Sequence, residues 1–297
     1  MTQSLEALSR RTTSMQGIRS VVHTMKTLSV INAAPYEHAA LAVGAYHQTI
    51  LDGLHAFFAG TTMELPHADV GNSVCVVFGT DHGLCGNYNE ALAAHVKAQI
   101  GDTPTQILCV GAQMADALAD QKLTVEAVFF PPASVDGIGR MANLLTQKLD
   151  EIRQATVPRD LAVSLAYFSQ DGDTTQQAEF KPLLPLSADL VTQFQTTPWT
   201  SRSLPQFTLQ PAALFQSLLR GHLFASMFRA SADALVTENA ARLALMQQAE
   251  HTVDDRLAEL LSETRGVRQN EITTELLDVI VGFEALKGRK PTQKNHP

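Results

Sequence analysis

The sequence is poor in cysteine and lacks long apolar runs. Its cysteines, Cys75, Cys85 and Cys109, form no CxxC pair, so neither a disulfide framework nor a zinc site is predicted. No run reaches the roughly 18 apolar residues of a membrane-spanning helix. Near the start, Arg10 and Arg11 are followed by TTSMQG rather than by the apolar core of a signal peptide. We therefore expect a protein of the reducing cytosol without direct membrane insertion.

Positive charge is also scarce. The chain carries 22 Lys and Arg against 30 Asp and Glu, a formal net charge of −8 at pH 7. An acidic chain repels phosphate backbones, so nucleic acid is not an expected partner. With 297 residues, 45% of them hydrophobic, the chain is long enough for two domains and a sizeable core.

Proline and glycine are sparse in residues 1–58, where we predict a helix about 80 Å long. Apolar and small residues recur there at steps of three and four, the pattern of a coiled-coil seam. The seam consists of Leu5, Leu8, Thr12, Met15, Ile18, Val22, Met25 and Leu28. Pro35 removes one backbone hydrogen bond and predicts a kink.

Residues 209–288 show the same helical pattern. A stretch free of further proline starts at Pro211, and a second seam runs through Ala249, Val253, Leu257, Leu260, Thr264 and Val267. A helix of about 110 Å is expected. An apolar period this long favours a coiled coil, so we predict that the two terminal helices pair antiparallel.

Residues 70–208 alternate short apolar runs with amphipathic stretches. SVCVVF, QILCVG, VEAVFF and DLAVSLAYF are strand-like, and NEALAAHVKAQI, AQMADALADQ and IGRMANLLTQKLDEIRQA are helix-like. This alternation predicts an α/β insert domain, with a mostly parallel sheet and flanking helices, between the two terminal helices. Prolines at 182, 185, 198 and 205 indicate a loop-rich exit segment.

The stretch GTDHGLCGNYN, residues 79–89, places glycines, an acid, a histidine and a thiol in one strand-to-helix turn. It lacks the Lys and hydroxyl of a P-loop and the spacing of GxGxxG. Cys85 has no recognisable catalytic partner, and no second cluster completes a metal site. We predict a structural turn in which Gly83 and Gly86 adopt positive φ or allow close backbone approach, Asn87 or Asn89 caps the helix, and Cys85 packs inside. No catalytic residue, metal or cofactor is expected.

This turn resembles the TDRGLCGGLN-type motif of the gamma subunit of F-type ATP synthases, and further segments agree in order. Residues 18–29 resemble that family's ITKAMKMVA segment, and FKPLLPL at 180–186 resembles its QLLPL segment. TENAARLALM at 237–246 is similar to its SEHAARMVAM run. VRQNEITTEL at 267–276 is similar to its ARQAxITxEL ending. The resemblance covers nearly the whole chain.

The resemblance implies a central-stalk rotor subunit that is not catalytic by itself. Its paired helices would lie inside a hexamer of alpha and beta subunits, and its α/β domain would contact the epsilon subunit and the membrane c-ring. Rotation would couple ion flow to ATP synthesis or hydrolysis in the beta subunits. The expected location is peripheral, on the cytoplasmic side of the bacterial inner membrane.

The same resemblance implies interfacial roles for particular residues. Arg268, Gln269 and Thr273 match the C-terminal motif that contacts a beta-subunit loop, and Arg242 matches the arginine of the AAR run. Met25 and Lys26 match the segment that faces the catalytic subunits' lever region. His82, which replaces the usual arginine of the turn, is expected to be a surface side chain.

Several features depart from the family pattern and suggest a divergent or alternative bacterial member. The basic run that often follows the N-terminal motif is absent from residues 30–38. A basic tail, residues 289–297, is predicted to be disordered. The competing interpretation is a free nucleotide-binding α/β enzyme with coiled-coil dimerisation arms, although such an enzyme has no need of two terminal helices of this length.

Overall fold

The structure, a computed structural model, describes residues 5–61, 70–156, 160–171, 175–199 and 202–287. The predicted C-terminal tail lies outside these ranges. The helices within them are α1 (Leu5–Gly60), α2 (Tyr88–Ile100), α3 (Ala112–Asp120), α4 (Val135–Thr156), α5 (Ala188–Thr196) and α6 (Pro211–Lys287). The strands are β1 (Val70–Phe78), β2 (Thr105–Val110), β3 (Val125–Phe129), β4 (Asp160–Asp171) and β5 (Thr175–Leu184).

The chain divides into two compact units. One consists of the described residues up to Thr27 and from Met246 onwards, and the other is Leu28–Leu245. Helices α1 and α6 contribute residues to both. The Leu28–Leu245 unit contains the whole sheet.

The strands form one five-stranded sheet in the order β3-β2-β1-β4-β5. The first four strands are mutually parallel, and β5 runs antiparallel to β4. The prediction of a mostly parallel sheet with flanking helices is therefore confirmed. The alternating pattern of strands and helices did not show that β4 and β5 form an antiparallel pair.

Strand periodicity gives the sheet two buried faces. Val74, Val76 and Phe78 of β1 point into one core, which α4 and α6 cover. Cys75 and Val77 point into the other, which α2 and α3 cover. Because successive side chains of a strand alternate in direction, an uninterrupted apolar run such as SVCVVF requires cover on both faces.

Within the Leu28–Leu245 unit, α1 and α6 lie antiparallel. His47 of α1 contacts His222 of α6, and Phe57 of α1 contacts Phe215 of α6. Residue numbers therefore rise along α1 as they fall along α6. Leu54, Phe57 and Phe58 form a hydrophobic cluster with Phe194 of α5. The prediction of a loop-rich exit segment is corrected here, because helix α5 forms within that segment. Ser187 is its N-cap, and the Ser187 hydroxyl accepts a hydrogen bond from the Leu190 N–H.

The other unit shows the same antiparallel pairing, since Arg19 pairs with Asp254 and His23 with Glu250. Its C-terminal seam is confirmed, with Val253 and Leu260 buried.

The N-terminal seam was partly wrong. Ile18 and Leu28 are 46% and 51% exposed, whereas Ser29 is buried. Steps of three and four residues along the helix allow either Leu28 or Ser29 to face the partner helix. The packing of the folded chain places Ser29 on the buried side. Helix α1 continues through Pro35, and the kink stays a prediction.

Gly111 is the glycine whose backbone the fold constrains most. It adopts a φ of +105°, and a Cβ placed there would lie 2.4 Å from the Thr80 carbonyl oxygen. We expect Gly111→Ala to lower the free energy of unfolding by more than about 2 kcal/mol, since it adds backbone strain to a clash with main chain. Urea unfolding followed by circular dichroism measures this.

Gly44→Ala is the matched control in the same unit, because nothing lies within 4 Å of a Cβ at Gly44 in helix α1. It should raise stability by up to about 1 kcal/mol. Equal stabilities for the two variants would show that the Gly111 turn is not constrained as described.

Candidate functional site

The GTDHGLCGNYN stretch forms a closed turn between β1 and α2. The Asn89 side chain is buried; its Oδ1 accepts from the Thr80 N–H at 3.0 Å, and its Nδ2 donates to the Thr80 hydroxyl at 2.8 Å. That hydroxyl in turn donates to the His82 carbonyl at 2.9 Å. Asn87 holds the N-cap position, as predicted, but its side chain makes no cap hydrogen bond. Asn89 stabilises the turn from inside the helix instead.

The backbone of the turn also differs from prediction. Gly86 has a φ of +69°, as expected, but Leu84 rather than Gly83 takes the other left-handed position, at +66°. The close approach falls at Gly79, where a Cβ would lie 2.4 Å from the Met114 Cβ. The close approach depends on how α3 packs against the turn, which the local sequence does not specify.

The chemistry of the turn is that of a packed element rather than a reactive one. Cys85 is 6% exposed, and burial raises the pKa of its thiol. A protonated thiol is a poor nucleophile. His82 is exposed, as predicted. No group of three potential metal ligands occurs in the described part of the chain.

The turn packs against helix α6 through a group of side chains that we call the α6 joint: Tyr88, Phe168, Gln176, Ala234 and Thr237. The Tyr88 hydroxyl lies 3.2 Å from the Ala234 carbonyl and 2.9 Å from the Thr237 hydroxyl. The Thr237 hydroxyl also reaches the Phe168 carbonyl at 3.2 Å. Gln176 donates its amide to the Thr237 carbonyl at 2.8 Å. These bonds tie α6 to β4, β5 and the start of α2.

An ion pair borders the joint on α6. Arg242 pairs with Glu238 one helical turn earlier, and the two side chains are only 15% and 10% exposed. Burial raises the pKa of Glu238, while Arg242 and then His82 act in the opposite direction. The pair therefore faces the turn, and Ala241 packs against the core that contains Cys85. The two motif-like segments, far apart in sequence, meet here.

Met25 and Lys26 lie in the other unit. The Lys26 ammonium pairs with Glu250 at 2.6 Å, and His23 lies 3.0 Å from the other Glu250 oxygen. The Lys26 hydrogen bond, followed by that from His23, lowers the pKa of Glu250 to about 2. Met25 is half-buried.

Arg268, Gln269 and Thr273 all lie exposed on α6. The Thr273 hydroxyl donates to the Gln269 carbonyl at 2.8 Å. From Ile272 onwards α6 carries a set of apolar side chains, each more than half exposed. We call this set the apolar end of α6: Ile272, Leu276, Leu277, Val279, Ile280, Val281 and Phe283. Sequence reasoning missed it, although the run LLDVIVGF was its signal.

A family model described as ATP synthase matches residues 4–286. Curated relatives named ATP synthase gamma chain include one from Geotalea uraniireducens, 22% identical over 96% of this chain and 99% of the relative. Another, from Nitratidesulfovibrio vulgaris, is 28% identical over 72% of this chain and 73% of the relative. The chain belongs to the ATP synthase gamma family. It is therefore a central-stalk subunit of an ATP synthase complex, as the resemblance predicted.

Solved structures share the fold of this family member. The chain covers 99% of a chain in the OSCP/F1/c-ring structure of Euglena gracilis mitochondrial ATP synthase, with a TM-score of 0.67 and 16% identity. A rotor structure of the same enzyme gives a TM-score of 0.62 at 15% identity, over 90% of this chain and 98% of the other. Within the described residues, none of the helices is apolar over a sufficient length to cross a bilayer.

Removing the Arg242 side chain tests the ion pair at the joint. Arg242→Ala should lower the free energy of unfolding by about 3 kcal/mol, because it leaves a largely buried carboxylate without its partner. Adding Glu238→Gln should restore part of the loss. Arg256→Ala, whose pair with Glu259 is exposed, should cost less than about 1 kcal/mol. Equal losses for Arg242→Ala and Arg256→Ala in urea titrations would contradict a buried pair.

The low pKa of Glu250 predicts that the stability of the paired helices depends on pH. Because its pKa is about 2 in the folded chain, against about 4.3 for a free glutamate, its contribution is complete above the free value and is lost as the pH falls towards 2. Thermal unfolding between pH 6 and pH 2 should therefore show a flatter pH dependence for Glu250→Gln than for the native chain. Glu271→Gln, an exposed control on α6, should keep the native slope.

Proposed function

We propose that this chain is the rotating shaft that couples ion flow in the membrane sector to ATP synthesis or hydrolysis in the beta subunits. The apolar end of α6 carries this proposal. Exposed apolar surface of this extent marks a site of protein contact. A sleeve formed by the alpha and beta subunits would cover it on all sides.

A shaft of this kind needs no catalytic residue of its own. It acts by contacting the conformations of the beta subunits unequally, and this difference in contact free energy shifts their populations. We therefore propose that the chain is not an enzyme by itself. The closed turn at residues 79–89, with its buried Cys85, supports this proposal.

The exposed polar residues next to the apolar end provide the contact with the catalytic subunits. Arg268 and Gln269 present charge and amide groups to solvent, suited to a polar beta-subunit loop. Arg242 is mostly enclosed beside Glu238 on the same helix. Its proposed interfacial role is therefore indirect and depends on the position of the neighbouring α6 joint. Met25 and Lys26 would present the exposed edge of α1 to the lever region.

The α/β domain is proposed to contact the epsilon subunit and the c-ring. Structures titled as rotor and as OSCP/F1/c-ring assemblies share its fold, which supports an assembly of the same kind. The complex would lie on the cytoplasmic face of the bacterial inner membrane, with this subunit peripheral to it. The missing basic run at residues 30–38 supports a divergent bacterial member.

Co-expression with the alpha and beta subunits of the same genome tests the assignment. We expect a stable complex of the hexamer with one copy of this chain, and an ATPase activity that depends on the chain. Size exclusion followed by an ATPase assay measures both. A chain that never joins the hexamer would refute the shaft function.

Substitutions at the exposed end test the contact residues. The triple variant Arg268→Ala, Gln269→Ala, Thr273→Val should lower chain-dependent ATPase activity about tenfold or more, equivalent to ~1.4 kcal/mol. Thermal stability of the isolated chain should not change, because all three side chains are exposed. Arg256→Ala should leave the activity near native. Full activity in the triple variant would overturn the proposed contact.

A further inference from the structure

A cleft of about 290 Å³ in the Leu28–Leu245 unit has no assigned role. It lies between α1, β4, β5, α6 and the start of α5. We call it the histidine cleft, after His47 and His222. Its walls include the apolar side chains Leu51, Leu165, Leu183 and Leu190. At about 30 Å³ per water, its volume is that of a small organic molecule.

The charged groups of the histidine cleft have one sign. Lys181 and Arg229 line it, and its lining contains no Asp or Glu among the described residues. Lys181 and Arg229 also line a neighbouring larger cleft, where they lie with Glu37, Glu179 and Asp233. Arg229 has a loose contact with Asp233 at 3.6 Å and stays 55% exposed. Burial raises the pKa of Asp233, and Arg229 and then Lys181 act in the opposite direction. An anion in the histidine cleft would still meet these two cations, since no acid among the described residues lines it.

Ser226 adds a polar group. Its side chain lines the cleft and is 8% exposed. Its hydroxyl can donate a hydrogen bond to a ligand oxygen in the cleft.

The two histidines of the cleft form a hydrogen bond with each other. His47 Nε2 lies 2.9 Å from His222 Nδ1, so one ring donates to the other. In the uncharged pair, whichever ring accepts this bond keeps its own N–H on the opposite nitrogen. Burial, followed by the nearby His47 and Lys181, lowers the pKa of His222 to about 4. Burial, followed by Lys181 and Arg229, also lowers the pKa of His47.

We propose that the histidine cleft binds a small amphipathic carboxylate, with the carboxylate beside Lys181, Arg229 and the Ser226 hydroxyl and a short hydrocarbon chain against the leucines. Apolar walls with a few convergent polar groups are typical of small-molecule sites. A free inorganic anion would leave the leucine wall without contact. Because the cleft is lined by α1, α6 and the sheet together, a ligand that binds only the folded chain stabilises this unit.

Calorimetric titration of the isolated full chain with hexanoate tests the proposal. We expect saturable binding and a rise in the unfolding temperature. Hexanol, which lacks the charge, and inorganic phosphate, which lacks the hydrocarbon chain, should each bind at least tenfold more weakly. Equal binding of hexanol and hexanoate would overturn the role of the cations, and equal binding of phosphate would overturn the role of the leucine wall.

Variants locate the binding. Lys181→Gln and Arg229→Gln should each weaken hexanoate binding about tenfold, and Ser226→Ala severalfold. Lys97→Gln, on α2 at the other face of the sheet, should bind as the native chain does. Circular dichroism checks that each variant is folded. Native affinity in folded Lys181→Gln and Arg229→Gln would refute the site.

An NMR titration of the histidine side chains reports the pKa of His222 with and without hexanoate. A carboxylate bound in the cleft should raise the pKa of His222 from about 4, because the anion offsets the nearby cations. A titration unchanged by saturating hexanoate would place the ligand elsewhere and overturn the proposal. The measurement uses the chain alone, so its outcome is independent of assembly with the alpha and beta subunits.

Discussion

The structure of the Leu28–Leu245 unit depends on the packing of one stretch of α6 against two neighbours at once. Met227 and Ala230 lie in the core beneath the sheet, while Ala232 and Val236 pack with Tyr36 of α1. Small side chains on both sides of the helix allow this close approach. The hydrogen bonds of Tyr88 and Thr237 then fix the helix against the sheet and the turn. A helix held on two sides resists rotation within its unit, as a shaft requires.

The turn at residues 79–89 illustrates how a motif with reactive residue types can serve packing alone. The side chains of its asparagine, threonine and cysteine contact one another through the threonine hydroxyl. Its first glycine leaves space for the Met114 side chain. The Arg242–Glu238 pair borders the turn from the helix side. The same residues that suggest a catalytic site in a sequence here join a helix to a sheet.

Along α6 the environment of the side chains changes from buried to exposed. The buried part of the helix packs within this chain, and the exposed part is available for contact with other subunits. Residues near 230 are enclosed, Glu250 is held by two bases from α1, and the apolar end meets solvent. Exposed leucine, isoleucine and phenylalanine on one helix end have a physical explanation if a sleeve of other subunits encloses them. Membership of the ATP synthase gamma family is consistent with such a sleeve.

Sequence alone determined the mostly parallel sheet and the two long helices, because apolar periods of two and of three to four report the faces that must be buried. The motifs, and not these periods, indicated the family. Only the tertiary structure decided which register the seam takes at Ser29, that α5 forms between prolines, and that Asn89 rather than Asn87 stabilises the turn. It also decided that Arg242 is enclosed by its own chain, and that His47 meets His222 beside Lys181 and Arg229. These outcomes depend on contacts between residues distant in sequence, and local patterns carry no information about such contacts.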